Sequence, residues 1–286
     1  MKTRYGMPIL LIGLLAVATC MVMQSSTSAQ TTDAKPAAAA PAPAPTHAPA
    51  AAPAPTPAPN PLAVAPTEPL TAKIKTLLVT GGDIHDGKGI GDVVQKSMEK
   101  TGFFDVTRVN DDLDAFLPER IAPYDLVVFY WTIGEIKEAQ KRGLMNHIAS
   151  GKGFVTFHSG ADSFRGDYDY EAFVGGHFVT HPAYRMYQVS ITLADPHDPK
   201  VEHPITHGIK EFMITDEQYV LDYCPRVKVL ANSLYKGSLM PVLWTKEWGK
   251  GKVFYSAMGH DPKACEQEMF QVTLLRGMLW AAGQLK

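Results

Sequence analysis

The sequence of 286 residues has almost no excess of charge, with 27 Lys and Arg against 29 Asp and Glu and a formal net charge of −2. A chain so close to neutral gives no reason to expect nucleic acid or an anionic membrane surface as its main partner. The composition also excludes a collagen-like, coiled-coil or multi-pass membrane protein, and the sequence contains no internal repeat.

Proline is scarce except in one segment, because 12 of the 22 prolines lie between residues 36 and 69, among many alanines. The apolar fraction of 45% therefore overstates what is available for a core, since this segment lacks long apolar side chains and any period. Proline favours the extended polyproline II conformation, so we predict a semi-rigid linker over residues 30–70. The remainder, residues 71–286, is long enough for one sizeable domain.

The N-terminus has the pattern of an export signal. Two basic residues precede the apolar run 8–23, and small or polar residues follow as far as Ala29. This order predicts a secretory signal peptide over residues 1–29. A retained membrane anchor is one alternative, because about 16 apolar residues are just short of spanning length. Lipid attachment at Cys20 is another. We expect an exported domain, periplasmic or extracellular, that the N-terminal segment tethers to the envelope or membrane.

The first half of the domain alternates strand and helix patterns. Apolar strand signals cover residues 74–80, 104–109, 124–130 and 153–158. Between the first two, a helical pattern ends at Gly102. Between the last two, Thr132 and Glu135 have the spacing of a capping box and predict the start of another helix. This alternation predicts an α/β fold with a parallel sheet and right-handed crossovers.

The second half is less regular. Strand patterns occur at residues 184–193, 226–230, 241–246 and 252–257, and an amphipathic helix closes the chain. Two cysteines, Cys224 and Cys265, lie in this half. An oxidising compartment permits a disulfide between them, and unpaired thiols are the alternative.

Three histidines follow predicted strands. His85 comes after the first strand, His158 ends the fourth, and His260 follows the last. In open parallel sheets, ligands bind beyond the carboxyl ends of the strands. Imidazole is also the commonest metal ligand and the side chain that titrates nearest to neutral pH. We therefore expect the three histidines to converge on one site.

Other polar residues in the second half extend this hypothesis. His177 and His181 have the i, i+4 spacing of a helical metal site, but Pro182 disfavours a helix there and favours a loop that presents His181. Asp216 and Glu217 are adjacent, so in a strand only one of them would point into a given pocket. That carboxylate would act as a general base, a metal ligand or the partner of a histidine ring. A solvated turn is the alternative.

The glycine-rich segment 81–91 does not support phosphate binding. It lacks the Gly-Lys-Ser/Thr ending of a phosphate loop, and its glycines do not fit the dinucleotide fingerprint. We therefore expect no nucleotide cofactor.

The ordered motifs resemble the trehalose-utilisation, or ThuA-like, domain family over residues 74–283. The matching stretches are 153–161, 174–182, 203–209, 216–219 and 241–260. The resemblance implies a flavodoxin-like fold related to class I glutamine amidotransferases, with a mostly parallel sheet and helices on both faces. Those amidotransferases carry a cysteine in the tight turn after a central strand. Here His158 occupies the comparable position, so we do not expect an amidotransferase.

The resemblance also implies a role in carbohydrate metabolism, with trehalose or a related glycoside or keto-sugar as the small ligand. From the imidazoles and the carboxylate together we expect a hydrolase, lyase or isomerase in which His158, Glu217 and His260 are catalytic, and a divalent metal such as zinc held by His158, His181 and His260. The residues expected to bind substrate are His85, Asp162, His177, His181, Asp216 and Tyr255. The alternative is a non-catalytic carbohydrate-binding or interaction module tethered at the cell envelope.

Overall fold

The computed structural model describes residues 60, 62–195, 197–198 and 200–286. The predicted signal peptide and the linker as far as residue 59 lie outside the described residues, so both stay predictions. The residues described belong to one compact unit, Thr56–Lys286. Within this part of the chain, no helix combines the length and the apolar character needed to cross a membrane.

The described residues form eleven strands and six α-helices. The strands are β1 (Ile74–Thr80), β2 (Phe104–Asn110), β3 (Leu126–Tyr130), β4 (Gly153–Phe157), β5 (Gly176–Thr180), β6 (Arg185–Ile191), β7 (Phe212–Asp216), β8 (Val220–Tyr223), β9 (Lys228–Tyr235), β10 (Ser238–Trp248) and β11 (Gly251–Ser256). The helices are α1 (Gly87–Thr101), α2 (Pro118–Ile121), α3 (Glu138–Ala149), α4 (Tyr168–Val174), α5 (Pro262–Glu266) and α6 (Glu268–Ala281), and 3-10 helices cover Leu113–Phe116 and His158–Asp162.

Five parallel strands form one half of a nine-stranded sheet, in the order β2-β1-β3-β4-β11. Every residue of β3 and β4 is buried, which explains why both read as continuous apolar runs in the sequence. This strand order is that of the flavodoxin-like folds. The predicted α/β class with a parallel central sheet is confirmed.

Helices cover both faces of this parallel half. The crossover through α1 leads from β1 to β2, whereas the crossover through α3 leads from β3 to β4 in the opposite direction along the sheet. Right-handed crossovers that run in opposite directions place their helices on opposite faces. The closing helix α6 packs against α1, β4 and β11, so it lies on the α1 face.

The other half of the sheet is antiparallel and continues as β11-β10-β9-β6-β7, while β5 and β8 form a separate two-stranded sheet. A hairpin links β10 and β11, which contain the predicted strand patterns 241–246 and 252–257. Three short strands, β5, β7 and β8, were not among the strand patterns, because each is only partly buried and has no long apolar run. Strand β7 is the one that bears on the functional site, because Glu217 directly follows it.

One predicted helix start was wrong. Helix α3 begins at Glu138, and the backbone N–H of Lys137 donates to Gln140 Oε1, the bond of a capping box placed further along the chain. Ile133 has a φ of 57°, which does not continue a helix. Thr132 is fully buried and its hydroxyl contacts His85, so it belongs to the site and not to the helix.

The last residues of the predicted linker pack on the domain. Val64 and Leu70 contact the core. The carbonyl of Ala63 accepts from the guanidinium of Arg276, and the backbone N–H of Thr67 donates to the carbonyl of Gln284. The chain from residue 63 onward is therefore anchored beside the C-terminus of the domain.

Candidate metal and catalytic site

The carboxyl edge of the parallel strands gathers the polar residues of the site. His85 follows β1, Thr132 follows β3, His158 follows β4 and His260 follows β11. The ring centroids of His85 lie 5.1 Å from His158 and 4.9 Å from His260, and those of His158 and His260 lie 5.3 Å apart. The three histidines therefore meet at one edge of the sheet, as their position after parallel strands predicts. Glu217 reaches the same point from β7.

His158 occupies a tight, left-handed turn with a φ of 43°. Its side chain is completely buried, and its Nδ1 lies 3.0 Å from the carbonyl oxygen of Ala257. A carbonyl only accepts, so Nδ1 carries a proton, and Nε2 is the ring nitrogen turned towards Glu217. The Tyr255 hydroxyl donates to the carbonyl of His158 at 2.9 Å and holds the turn. His158 is thus oriented through both its ring and its backbone.

Glu217 links the histidines to each other. Its Oε2 lies 3.4 Å from His158 Nε2 and 3.2 Å from His260 Nδ1, while Oε1 lies 2.9 Å from His181 Nδ1. Burial alone would raise the pKa of this carboxyl, but the hydrogen bonds from His158 and His260 outweigh it and hold the pKa far below its usual range. Glu217 is therefore a carboxylate at every pH of physiological interest.

His260 is held by its backbone. Asp216 is fully buried, and its carboxylate accepts from the backbone N–H of Gly259 at 2.7 Å, of Glu217 at 2.8 Å and of His260 at 3.2 Å. Burial raises the pKa of Asp216, although His158 and these amides oppose the shift. Hydrogen bonding to Glu217 raises the pKa of His260. Asp216 thus positions two site residues and does not face a ligand.

His85 has a different environment from His260. Its Nδ1 lies 2.7 Å from the Thr132 hydroxyl, and its ring meets Tyr130 edge-on at 5.9 Å. Burial, followed by the positive charge that His158 and His260 would carry, lowers the pKa of His85 to about 3. The ring is therefore neutral near pH 7, which is the form that binds metals.

His85, His158, Glu217 and His260 form a group in which the four candidate ligand atoms all lie within 4.8 Å of one another. Three of these atoms, His158 Nε2, His260 Nδ1 and Glu217 Oε2, are separated by 3.3, 3.2 and 3.4 Å. Ligand atoms about 2.0–2.2 Å from a tetrahedral zinc ion lie roughly 3.3–3.6 Å from each other. Nitrogen and carboxylate donors at this spacing fit a divalent metal.

Aromatic rings line the side of the cluster. The ring of Tyr219 packs on His158, tilted by 31°, with 3.9 Å between ring centroids, and Phe178 packs behind Tyr219 at 4.4 Å. The half-exposed Tyr184 lies 5.6 Å from the His260 ring, and its hydroxyl donates to the carbonyl of Thr215. Sequence reasoning assigned no site role to Tyr219 or Thr132. The Asp216-Glu217-Gln218-Tyr219 motif offered a signal for Tyr219, whereas Thr132 carried only its misleading capping-box spacing.

The remaining sequence-predicted site residues lie outside the four-residue group. Asp162 pairs through both oxygens with Arg165, at 2.6 and 2.7 Å. His177, on β5, lies 3.4 Å from Glu171. His181 lies on the outer side of Glu217 and is half-exposed. The predicted metal ligands were His158, His181 and His260, whereas the structure groups His158 and His260 with His85 and Glu217.

Comparison with known proteins places the chain among ThuA-like folds. The ThuA family, described as trehalose utilisation, matches residues 75–281. A protein described as ThuA-like from Parabacteroides merdae has a TM-score of 0.66 at 22% identity, over 75% of this chain and 92% of its own. A second one, from Bacteroides uniformis, has a TM-score of 0.60 at 17% identity, over 76% and 95%.

A β-galactosidase from Rahnella sp. R3 contains a similar fold, with a TM-score of 0.54 at 12% identity. The match covers 74% of this chain but only 32% of that enzyme. Among curated proteins, no relative matches the sequence. At these identities, the similarity to solved structures establishes the fold alone. The family match extends over most of the chain and establishes the family.

Proposed function

The chain belongs to the ThuA, or trehalose-utilisation, family, and from that premise we propose that it is an enzyme that acts on a sugar derivative at a metal site formed by His85, His158, Glu217 and His260. The single observation that carries the proposal is the spacing of 3.2–3.4 Å among His158 Nε2, His260 Nδ1 and Glu217 Oε2. Two imidazoles and a carboxylate this close together, at the ligand-binding edge of a parallel sheet, are typical of a metal or catalytic site.

The surroundings of the ligands support metal binding. Metal-bound histidines usually donate their other ring N–H to a carbonyl or carboxylate, which fixes the tautomer. His158 Nδ1 does so to Ala257, and His85 Nδ1 has the Thr132 hydroxyl as its partner. Glu217 remains ionised, so it offers negative charge to a cation without first losing a proton.

The protein groups each have a task in the proposed chemistry. A bound divalent ion would supply Lewis acidity to a sugar oxygen or a water molecule. His260 would hold the ion through Nδ1, and its hydrogen bond to Glu217, which raises its pKa, keeps that nitrogen turned towards the site. His181, half-exposed on the outer oxygen of Glu217, is placed to reach a substrate bound beside the ion. Hydrolysis, elimination and isomerisation all use such groups.

Aromatic surface beside the histidines supports a carbohydrate as the ligand. Tyr184 is 42% exposed next to His260, so its ring is available to stack on the apolar face of a sugar.

The proposal also includes export, which rests on the signal and linker patterns of residues 1–70. Fractionation of the native cells tests export, with the mass of the N-terminal peptide measured in the fraction that holds the protein. A protein with residue 1 intact in the cytoplasmic fraction would contradict export.

Metal analysis of the purified protein tests the site. We expect about one equivalent of zinc or a similar divalent ion per chain, lost in His158→Ala and retained in the control His177→Ala. His177 is also a histidine near this edge, but it pairs with Glu171 and contributes no atom to the group. A metal-free wild-type protein that cannot be loaded with zinc would overturn the metal site. Sugar binding that survives in His158→Ala would then favour the tethered carbohydrate-binding module.

A further inference from the structure

A second cleft, of about 710 Å³, shares no residue with the histidine cluster. Its walls come from β10, from the segment that joins β8 to β9, and from α6. The lining includes three cationic residues and two indole rings, those of Arg226, Lys228, Lys246, Trp248 and Trp280. This volume is in the range of small-molecule sites, which is roughly 300–1,000 Å³.

Three cations line this cleft together with one carboxylate, that of the exposed Glu247. None of Arg226, Lys228 and Lys246 forms an ion pair with a carboxylate among the residues that the structure describes. Lys246 is half-buried, and its ammonium donates instead to the carbonyl of Ala172. Burial, with a contribution from Arg226, lowers the pKa of Lys246. Arg226 and Lys228 are exposed, so Lys246 is the one of the three that is partly withdrawn from water, and a bound anion would supply the counterion that it lacks.

Indole rings stand beside these cations. Lys246 Nζ lies 5.2 Å from the centre of the Trp248 ring, and Lys252 Nζ lies 4.8 Å from that of Trp280. His203, on the same wall, is kept neutral: burial, with Lys228 and Lys252, lowers its pKa to about 4. The cleft therefore combines ammonium and guanidinium groups with flat apolar walls.

We propose that this cleft binds a small organic anion, a carboxylate carried on a ring-shaped body such as a sugar acid. The carboxylate would lie between Arg226 and Lys246, since a guanidinium binds carboxylates in a bidentate manner. The ring would lie against Trp248 and Trp280, where flat aromatic surface favours flat apolar faces. The inference goes beyond the proposed function, and its test does not depend on the metal site.

Thermal unfolding with D-glucuronate tests the cleft. At constant ionic strength, D-glucuronate should raise the Tm of the wild-type protein in a saturable manner, whereas D-glucose should not. The double variant Arg226→Gln/Lys246→Gln should need at least tenfold more D-glucuronate for the same shift. The control Lys96→Gln/Lys100→Gln removes two charges from the exposed face of α1 and should behave as wild type. Equal shifts in all three proteins, or none in the wild type, would overturn the proposal.

Cys224 provides an independent readout at the cleft. It is a half-buried free thiol on the cleft wall, whereas Cys265 is completely buried. Saturating D-glucuronate should slow alkylation of Cys224 by iodoacetamide at least fivefold, as followed by peptide mass spectrometry, and should not do so in Arg226→Gln/Lys246→Gln. Inorganic phosphate should protect Cys224 much less. Equal protection by phosphate would overturn the ring-bearing ligand, and unchanged alkylation would overturn binding at this cleft.

Discussion

Replacing Asp216 by Asn separates a positioning role of this residue from a role in binding substrate. Its two carboxylate oxygens accept three backbone N–H groups, from Gly259 and His260 on one loop and from Glu217 next to it. Asn keeps the size of the side chain but has one oxygen. Whichever way the amide is turned, at least one of these N–H groups loses its acceptor and faces an NH2 group.

The expected loss of stability follows from these bonds. A hydrogen bond to a charged group contributes about 1.5–3 kcal/mol. Part of the loss is offset, because burial raises the pKa of Asp216 and the neutral amide avoids burying a charge. We therefore expect the free energy of unfolding to fall by about 1–2 kcal/mol. We also expect zinc affinity to fall about tenfold, since residues that orient metal ligands typically contribute 10–100-fold.

Urea unfolding of the metal-stripped protein measures the first effect without a contribution from bound metal. Calorimetric titration with zinc measures the second. Asp105→Asn is the matched control, because Asp105 is exposed on β2 and an exposed substitution changes stability by less than about 0.5 kcal/mol. If Asp216→Asn is as stable as the wild type and binds zinc equally well, the positioning role of Asp216 is wrong.

Two further predictions concern Thr132 and His203. Thr132→Val removes the hydroxyl that contacts His85, so zinc affinity should fall about tenfold in a calorimetric titration, whereas the control Thr273→Val, at a buried threonine of α6, should leave it unchanged. An unaffected affinity in Thr132→Val would show that His85 needs no such support. His203 is buried and has a pKa of about 4, against an ordinary value of 6.5. Below pH 6.5 this imidazole therefore binds a proton in the unfolded chain but stays neutral in the folded chain. Stability should therefore fall between pH 6.5 and about 4, by at most about 3 kcal/mol, and His203→Gln should remove this part of the slope in urea unfolding at several pH values. An identical slope in the variant would contradict the neutral state of His203.

The parallel half of the fold was predictable because its signals are local. Strands β1, β3 and β4 are buried runs of apolar residues, and α1 ends at Gly102, which adopts the left-handed conformation with a φ of 76°. Right-handed crossovers then leave few ways to arrange these elements. The meeting of His85, His158 and His260 follows from that arrangement, since each lies after a strand of the same parallel set.

The carboxylate of the site was less predictable. The choice between Asp216 and Glu217 depends on the pairing of β6 with β7, which sets Arg185 opposite Asp216 and leaves Glu217 just beyond the strand. A shift of one residue in that register would exchange the two side chains. Neighbouring residues in the sequence do not determine this register, because the hydrogen bonds that fix it come from distant segments.

The sequence by itself determined the fold class, the family and the strand ends from which three histidines converge, because burial and turn signals are encoded over short stretches of chain. Tertiary structure alone decided which carboxylate joins them, that Thr132 supports His85 and does not begin a helix, and that the ring of Tyr219 packs on His158. These contacts join residues far apart in the chain. They form only when the antiparallel half of the sheet brings β7 to the edge where the parallel strands end.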